Sequence, residues 1–209
     1  GHLALMPFDR RSSLQAPLVV RKSAAWSEPF PLEEVRTIGR AASATVHDVL
    51  AACAAGAIRE YLLARGEDPD DRRIRAAVPV SLRAAADPEP LGNQFGLVFL
   101  PLPIQYADPV ERLRAVQASM TRAKSSAEPA VVFGLLTVFG QALRPGLPLM
   151  LSFLGRKASL VMTNVPGPRD PVTFLGSRLT ELMAWVPQAG RLGVGVTLLS
   201  YAGKLQVGV

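Results

Sequence analysis

The chain has 209 residues, 49% of them hydrophobic and 19% charged, which excludes a disordered chain and allows one large domain or two small ones. Its net charge of +6 favours an anionic partner, such as nucleic acid, a membrane or a phosphorylated cofactor, or reflects an arginine-rich solvated surface. Aromatic residues make up only 6%, which argues against base stacking. A single cysteine, Cys53, excludes a disulfide framework or thiolate metal cluster within the chain, so we expect a reducing, cytoplasmic setting.

The chain is predicted to open with an arm. Residues 1–30 contain several prolines and few periodic apolar positions, which indicates an extended arm or inter-domain linker before a domain spanning 31–209. Pro31 and the two acids that follow Leu32 are typical of a helix start, and one apolar stripe continues to Ala42. We therefore predict that an amphipathic helix begins the domain.

The clearest predicted helix begins at Thr45, because Thr45 and Asp48 have the spacing of a capping box. The apolar residues that follow share one face, and Gly66 is typical of a helix end. Cys53 lies in this alanine-rich segment, so we expect it to be buried as a small hydrophobic residue.

Two strands are predicted after this helix. Residues 72–83 alternate between apolar positions and positions that include several arginines, and Pro79 among them indicates a sheet edge or a bulge. Residues 95–104 are apolar on both faces, as in a central strand. The intervening residues 84–93 are predicted to form a loop.

The second half of the chain begins with another helix start, at Asp108 and Pro109. Residues 129–155 are the most hydrophobic region, but polar residues and prolines interrupt them before any run of about 20 apolar residues. We predict two short apolar helices that meet near Pro145 and Gly146, with a surface that could contact lipid.

The remaining residues predict strands: one at 159–165, one or two within 173–186, and a hairpin that turns near Ala202 and Gly203. The apolar alternation still runs when the chain stops at Val209, so we expect either a fragment or a partner that supplies the continuation. The order of the elements predicts an α/β or α+β domain, built on a mixed β-sheet flanked by helices.

Thr163 and Asn164 end an apolar strand immediately before the stiff sequence V-P-G-P at 165–168. Pro166 and Gly167 suit the central positions of a type II turn, and Asn164 could fix the strand exit by bonding to nearby backbone. Neutral donors at a stiff strand end would also suit a developing oxyanion. Alternation places Thr163 and Asn164 on opposite faces, so at most one points into a given cleft. From the local residues alone, the structural role is preferred.

His47 is the other residue considered for chemistry. A helix N-terminus would keep its imidazole neutral, as a general base requires, but no orienting partner is visible in the sequence. We therefore favour an ordinary first-turn residue. The sequence has no G-x-S-x-G elbow, no H-E-x-x-H motif and no phosphate-binding loop in the right context.

Several segments taken together resemble one family. In chain order they are TVHDVLAACAAGAIREYLLARGE, RAAVPVSLR, LGNQFG, ADPVERL, TNVPGPRDP and LLSYAGKL. Over roughly residues 17–209 the chain resembles the C-terminal half of the bacterial wax ester synthase/diacylglycerol acyltransferases. VPVSLR with the downstream Gly92-Asn93, and TNVPGP, carry most of the weight because they match together and in order.

The resemblance implies transfer of a fatty acyl group from coenzyme A to a fatty alcohol or diacylglycerol. It also implies the architecture of the chloramphenicol acetyltransferase-like, CoA-dependent enzymes, in which a channel runs between two similar halves. The general base of the family is a histidine of an HHxxxDG motif in the N-terminal half, and this sequence has no such motif. We therefore expect the chain to begin after that half. His47 stands where the family usually has the asparagine of an Asn-Asp pair, and Asp48 keeps the second member.

By the same resemblance, acyl-CoA and a lipid alcohol are the expected substrates, with no permanently bound cofactor, no metal and no catalytic residue in this chain. The residues expected to line the substrate channel are Thr163, Asn164, Asn93 and Asp48. The residues expected to contact the CoA phosphates are Arg83 and Arg169. Each arginine taken singly is equally consistent with a solvated surface.

The leading hypothesis is thus the C-terminal half of an acyltransferase. Its expected partner is the N-terminal half, either removed or a separate chain, and a peripheral contact with a membrane or lipid droplet is left open. The alternative is a non-catalytic module of the same fold that binds lipid or protein. An HHxxxDG motif about a hundred or more residues upstream in the gene would favour the enzyme. A nucleic-acid binder is a third hypothesis, which no recognisable module in the sequence supports.

Overall fold

The computed structural model describes residues 6–9, 12–15, 20, 22–82, 95–124, 126–141, 144–187 and 192–209. The helices in these ranges are α1 (Leu32–Ala41), α2 (Val46–Ala64), α3 (Pro109–Lys124), α4 (Glu128–Gln141) and α5 (Leu147–Gly155), with a 3-10 turn at Arg144–Gly146. The strands are β1 (Phe30–Pro31), β2 (Ile74–Ser81), β3 (Phe95–Leu102), β4 (Leu160–Pro166), β5 (Thr173–Phe174), β6 (Ser177–Arg178), β7 (Gly195–Tyr201) and β8 (Lys204–Gly208). The predicted order of helices and strands is confirmed.

Six strands form one mixed sheet in the order β1-β8-β7-β4-β2-β3. β4 runs parallel to both of its neighbours, β7 and β2, whereas the other neighbouring pairs are antiparallel. Strands β5 and β6 form a separate two-stranded hairpin. The mixed sheet with helices packed on it confirms the predicted fold class.

Each face of the sheet has its own apolar core. On one face, Ala76, Val78 and Met162 pack with residues of α1, α2 and α3. On the other face, Ala77 and Phe99 pack with residues of α4 and α5. Neighbouring residues of β2 thus enter opposite cores, as side-chain alternation requires. Each fully buried Leu, Ile or Val in these cores stabilises the fold by about 1.5–3 kcal/mol.

Capping fixes where α2 begins and ends. The Asp48 N–H donates to the Thr45 hydroxyl at 3.2 Å and the Thr45 N–H donates to Asp48 Oδ2 at 2.9 Å, so the predicted capping box is confirmed. Gly66, with φ of +71°, ends the helix in a Schellman motif, in which the Glu67 N–H donates to the Leu62 carbonyl at 2.9 Å.

Cys53 of α2 is exposed, so its predicted burial is wrong. The buried face of α2 passes through Ala51, Ala55, Ile58 and Leu62, and Cys53 lies outside that stripe. The sequence could not indicate which side of α2 packs on the domain, because small alanine side chains stand on several sides of the helix around Cys53.

The end of β4 differs from its prediction. The strand continues through Pro166, and the Gly167 N–H donates to the Ser200 carbonyl of β7 at 2.8 Å. The predicted type II turn is wrong, because that turn needs a positive φ at Gly167, and Gly167 is not among the described glycines that have one. A Cβ on Gly167 would lie 2.3 Å from the Ser200 oxygen. Glycine is needed there for the close approach of two strands.

The predicted hairpin and the predicted strands before it are both found. The turn at Ala202 and Gly203 is confirmed, and both residues have positive φ (47° and 78°), as a two-residue type I′ turn requires. Within 173–186, only β5 and β6 are strands, with two residues each. These two strands confirm the predicted one or two strands, and the remaining residues of this region to 186 have no regular structure.

Two described stretches of the predicted 1–30 arm contact the domain. Ala25 and Val209 exchange two backbone hydrogen bonds of 2.8 and 2.9 Å, and Trp26 bridges Gly208, so this stretch runs antiparallel beside β8. Further upstream, Asp9 is buried and accepts hydrogen bonds from Arg75, near the start of β2, and from Ser159, immediately before β4. The boundary between arm and domain at residue 30 stays a prediction.

The predicted pair of apolar helices is confirmed as α4 and α5, which meet at the 3-10 turn. Their outer surface carries large apolar side chains that are 37–77% exposed: Val131, Val138, Leu149, Leu151 and Phe153. Among the described helices, none is by itself long and apolar enough to cross a membrane; α1 and α2 reach that length and composition only together, and the chain bends by 99° between them.

Candidate functional site

A pocket opens where β2 and β4 separate. The two strands pair only at Ala76 with Leu160 and at Ala77 with Val161. Pro79 follows on β2, beyond the last residue that pairs with β4. Its missing N–H therefore removes no hydrogen bond to β4. The predicted sheet edge or bulge at Pro79 is wrong, since β2 lies between β3 and β4 and pairs with β3 through Pro79 without interruption. The proline instead sits where an interior strand has left one neighbour.

The pocket has a volume of about 480 Å³. Its apolar lining includes residues of β2, β3 and α3, namely Val78, Val80, Val98, Leu100, Met120 and Ala123. Its polar lining consists of His47, Ser81, Ser126 and Asn164. An apolar cavity with a few polar groups on its walls is the usual form of a small-molecule site.

The start of α4 forms one wall of the pocket, through Pro129 and Ala130. This wall lies very close to β3, because a Cβ on Gly96 would be 2.2 Å from the Pro129 carbonyl oxygen. Sequence reasoning did not find the contribution of α3 and α4 to the site. The only local signal was Gly96 at the start of an otherwise apolar strand, which is typical of a close backbone approach.

Asn164 is the residue of β4 that lines the pocket. It lies on the same strand face as Met162, whereas Thr163 lies on the opposite face and is not part of the lining. Of the two residues between which the sequence could not decide, Asn164 is therefore the one that faces the pocket.

The side chain of Asn164 makes no hydrogen bond to any of the residues that the structure describes. The suggested bond from Asn164 to nearby backbone is therefore not found in this part of the chain. Instead the strand exit is fixed by backbone pairing, up to the bond from Gly167 to Ser200. The amide of Asn164 is half-buried at the pocket wall and keeps its hydrogen-bonding capacity for another molecule.

His47 and Asp48 have different environments although they are neighbours in the first turn of α2. His47 lines the pocket, so it is more than a surface residue of the helix. Asp48 is 5% exposed and lies outside the lining, with Oδ2 bonded to Thr45 and Oδ1 buried without a partner among the described residues. Its role as a channel residue stays a prediction, and its cap role is what the geometry supports.

Of the two arginines predicted to contact CoA phosphates, only Arg169 is described. It is exposed, follows the end of β4, and is not part of the pocket lining. Arg83 and Asn93 lie outside the described residues. Within the described ranges, no group of three His, Cys, Asp or Glu side chains could hold a metal ion.

A second polar cluster lies away from the pocket, around Asp9. The Asp9 carboxylate accepts hydrogen bonds from Arg75 Nη1 at 2.6 Å and from Ser159 Oγ at 2.7 Å. Burial raises the pKa of Asp9, and the bonds from Ser159 and Arg75 oppose this shift. No sequence pattern indicated this cluster, because Asp9 and Arg75 are far apart along the chain.

Lys157 is buried beside this cluster. Its ammonium donates to the Met6 carbonyl and lies 4.6 Å and 4.8 Å from the ring centres of Phe8 and Phe153. Burial lowers the pKa of Lys157, and nearby Arg75 lowers it further. The cation–π contacts compensate part of the lost hydration.

The fold defines the class of protein. Over 93% of its length the chain shares its fold with the PapA2 acyl transferase, at a TM-score of 0.51 and 14% identity. The wax ester synthase/diacylglycerol acyltransferase from Marinobacter aquaeolei VT8 is more similar, with a TM-score of 0.67 and 25% identity over 96% of this chain and 45% of that chain. The architecture is therefore that of acyltransferase domains.

The family follows from the sequence comparison. A family profile described as the WS/DGAT C-terminal domain matches residues 91–209. The chain belongs to the wax ester synthase/diacylglycerol acyltransferase family, and the resemblance read from its motifs is confirmed.

Curated relatives show what share of a longer protein this chain represents. It is 33% identical over 204 residues to a Mycobacterium tuberculosis H37Rv protein named as the diacylglycerol O-acyltransferase tgs1, and this match covers 95% of the chain and 43% of the relative. A second M. tuberculosis protein named as a diacylglycerol O-acyltransferase is 32% identical, covering 100% of the chain and again 43% of the relative. The chain thus spans less than half the length of these relatives.

Proposed function

We propose that the chain is the C-terminal half of a CoA-dependent O-acyltransferase, which moves a fatty acyl group from acyl-CoA to a fatty alcohol or diacylglycerol. Family membership supports the reaction class, and the names of the curated relatives support the diacylglycerol acceptor. The relatives carry further sequence beyond the part matched by this chain. That remaining part is the expected source of the histidine of the HHxxxDG motif.

The observation that carries this proposal is the pocket between β2 and β4. Its walls are apolar side chains, which suit an alkyl chain, since each buried methylene contributes about 0.8 kcal/mol. The amide of Asn164 at the wall has no hydrogen-bond partner among the described residues. This combination of an apolar lining and one unbonded polar group matches an acyl thioester, which is apolar along its chain and polar at its carbonyl.

In the proposed reaction, the alcohol oxygen attacks the thioester carbonyl carbon and the carbon–sulfur bond breaks, so that the ester and free CoA are formed. A base in the N-terminal half removes the hydroxyl proton, and the departing CoA thiolate takes up a proton. The side-chain amide N–H of Asn164 donates to the thioester carbonyl oxygen while that oxygen carries negative charge. The channel is formed by both halves, and Arg83 and Arg169 are proposed to bind CoA phosphates.

The apolar surface of α4 and α5 is proposed to be covered in the complete protein by the N-terminal half. Leu149 is 77% exposed and is the largest single contribution to this surface, and exposed patches of this kind mark interfaces or lipid contacts. The alternative is that this surface makes a peripheral contact with a membrane or lipid droplet. The single cysteine favours a cytoplasmic location for either arrangement.

The test uses the complete polypeptide encoded by the gene. Purified protein is incubated with labelled palmitoyl-CoA and either hexadecanol or dioleoylglycerol, and the esters are separated and counted. We expect ester formation by the unchanged protein. Asn164→Ala should lower kcat by about a hundredfold with little change in KM, because the lost contact strengthens only in the transition state.

Thr163→Val is the matched control, since Thr163 lies next to Asn164 but on the opposite strand face. We expect its kcat to stay within about twofold of the unchanged protein. Equal activity of all three proteins would remove Asn164 from the mechanism. Absence of any ester, with the protein folded by circular dichroism, would instead favour a non-catalytic binding module of the same fold.

A further inference from the structure

Helix α3 contributes two side chains of very different size to the pocket between β2 and β4. Met120 and Ala123 both line this pocket. They lie three residues apart, on neighbouring turns of one helix face. Both are buried, at 8% and 9% exposure, so they form an inner part of the pocket wall.

Met120 separates the pocket from a core. It is a member of the apolar core formed with α1 and α2, together with Leu113 and Val116, which precede it on α3. Ala123 lines the pocket, but among the described residues it belongs to neither apolar core. A change at Met120 therefore alters the boundary between core and pocket, whereas volume added at Ala123 enters the pocket itself.

The backbone of α3 is held in place by polar bonds to its neighbours. Arg112 Nε donates to the Ala52 carbonyl of α2 at 3.0 Å. Gln117 Nε2 donates to the Ser43 carbonyl, in the connection between α1 and α2, at 2.9 Å. The adjustable part of this wall is therefore the Met120 side chain, because methionine is unbranched, has three rotatable bonds and fills irregular spaces.

We propose that Met120 sets the length of the acyl chain that the pocket accepts, and that the small side chain of Ala123 keeps the space beside it open. This inference rests on the proposed function, which places the acyl thioester in this pocket. Asn164 lines the pocket from β4, whereas Met120 lines it from α3. A thioester whose carbonyl is held at Asn164 directs its alkyl chain along the apolar walls, and the chain ends where it meets the Met120 side chain.

The apolar lining gives the size of the effect. One extra or missing methylene in an apolar pocket changes the specificity constant by about 10–200-fold. Met120→Ala shortens the side chain that ends the pocket, so acyl chains longer by several methylenes should fit. Ala123→Leu adds volume inside the pocket, so long chains should be excluded. Two substitutions on one helix face are therefore expected to shift the preference in opposite directions.

The test measures kcat/KM of the complete gene-encoded polypeptide for acyl-CoA substrates from octanoyl to eicosanoyl, with dioleoylglycerol as the fixed acceptor. The ratio for stearoyl-CoA over lauroyl-CoA should rise at least about tenfold in Met120→Ala and fall at least about tenfold in Ala123→Leu. Met150→Ala is the matched control, because Met150 is 6% exposed but lies in the other core and outside the pocket lining. Its ratio should stay within about twofold of the unchanged protein.

A second series varies the alcohol from dodecanol to octadecanol at a fixed concentration of palmitoyl-CoA. We expect the alcohol preference of each variant to stay within about twofold of the unchanged protein. A shift in alcohol preference without a shift in acyl preference would overturn the assignment, because the pocket would then hold the alcohol chain. Equal shifts in Met120→Ala and Met150→Ala would also overturn it, because a loosened fold rather than the pocket wall would be responsible.

Binding measurements separate a failure of this inference from a failure of the proposed function. CoA thioethers with dodecyl and octadecyl chains cannot transfer an acyl group, and their Kd values are measured by calorimetry for the same variants. Opposite shifts of the Kd ratio in Met120→Ala and Ala123→Leu, without ester formation, would support the assignment and overturn the proposed function. Ester formation with unchanged length preference in both variants would overturn the assignment alone. If Met120→Ala does not fold, Ala123→Leu decides the question, because it leaves the core residues unchanged.

Discussion

Replacing Asp9 by alanine is the most informative test of how the described residues around Asp9 are held to the domain. The Asp9 carboxylate has no solvent exposure, and its partner Arg75 is only 9% exposed. The carboxylate accepts from the Arg75 N–H at 2.9 Å, from Arg75 Nη1 at 2.6 Å and from Ser159 Oγ at 2.7 Å. Asp9→Ala therefore leaves a buried guanidinium without its counter-charge and a backbone N–H without its acceptor.

The geometry gives the size of this effect. Removing one member of a buried ion pair costs about 3–5 kcal/mol, because the remaining charge stays buried and uncompensated. We expect Asp9→Ala to lower the free energy of unfolding by this amount. The double variant Asp9→Ala/Arg75→Met should recover much of the loss, since no buried charge then remains at the pair. Glu33→Ala is the matched control, because its pair with Arg40 is 60–64% exposed and should contribute little that can be measured.

The assay is unfolding in urea, followed by far-ultraviolet circular dichroism at pH 7, with midpoint and slope fitted separately. A change in midpoint at constant slope reports stability. The reasoning is refuted if Asp9→Ala changes the free energy of unfolding no more than Glu33→Ala does. It is equally refuted if the double variant is less stable than Asp9→Ala.

The pH dependence of the free energy of unfolding provides an independent test of the raised pKa of Asp9. Burial raises the pKa of Asp9, so the folded chain binds this proton more tightly than the unfolded chain. The proton-linked contribution of Asp9 is therefore fully present below the ordinary aspartate pKa of about 3.9, and is lost as the pH rises through the raised pKa. Asp9→Asn cannot titrate, so the difference in stability between the unchanged chain and Asp9→Asn should vary with pH in that window. A constant difference across the window would contradict the raised pKa.

Three further substitutions test the strand end and the pocket. Gly167→Ala should lower the free energy of unfolding by about 1–3 kcal/mol in urea titrations, because its Cβ would lie 2.3 Å from a backbone oxygen. Gly134→Ala should raise it by about 0.5–1 kcal/mol, since nothing lies within 4 Å of that helical position; the same sign for both glycines would contradict the steric explanation. Ala130→Trp at the pocket wall should raise KM for palmitoyl-CoA more than for butyryl-CoA in the gene-encoded polypeptide, and an equal effect on both chain lengths would separate this pocket from the acyl chain.

Features set by neighbouring residues were predicted well from the sequence. The capping box of Thr45 and Asp48, the stop at Gly66 and the hairpin turn at Ala202 each depend on bonds within a few residues, so their spacing alone is sufficient. The alternation of β2 likewise predicted a strand, but the predicted single apolar face is wrong, because both faces of β2 are buried.

Features set by long-range contacts were not predicted. Gly167 looked like a turn residue because Pro-Gly is typical of type II turns, whereas the structure uses it for close approach to β7. The sequence could not show whether Asn164 or Thr163 faces a pocket. The structure shows it, because β2 and β4 diverge and the pocket opens on the strand face that carries Asn164. Asp9 and Arg75 form an ion pair across 66 residues, which no local pattern encodes.

The division of labour between the two halves is tested most directly by comparing ester formation by the purified 209-residue chain with that of the complete gene-encoded polypeptide. Both are assayed at equal concentration with labelled palmitoyl-CoA and dioleoylglycerol. We expect the complete polypeptide to form triacylglycerol and the 209-residue chain to form none, because the HHxxxDG motif proposed to supply the general base is absent from this sequence. Robust turnover by the 209-residue chain that is lost in His47→Ala would contradict this, and would assign the base to the His47 side of the pocket.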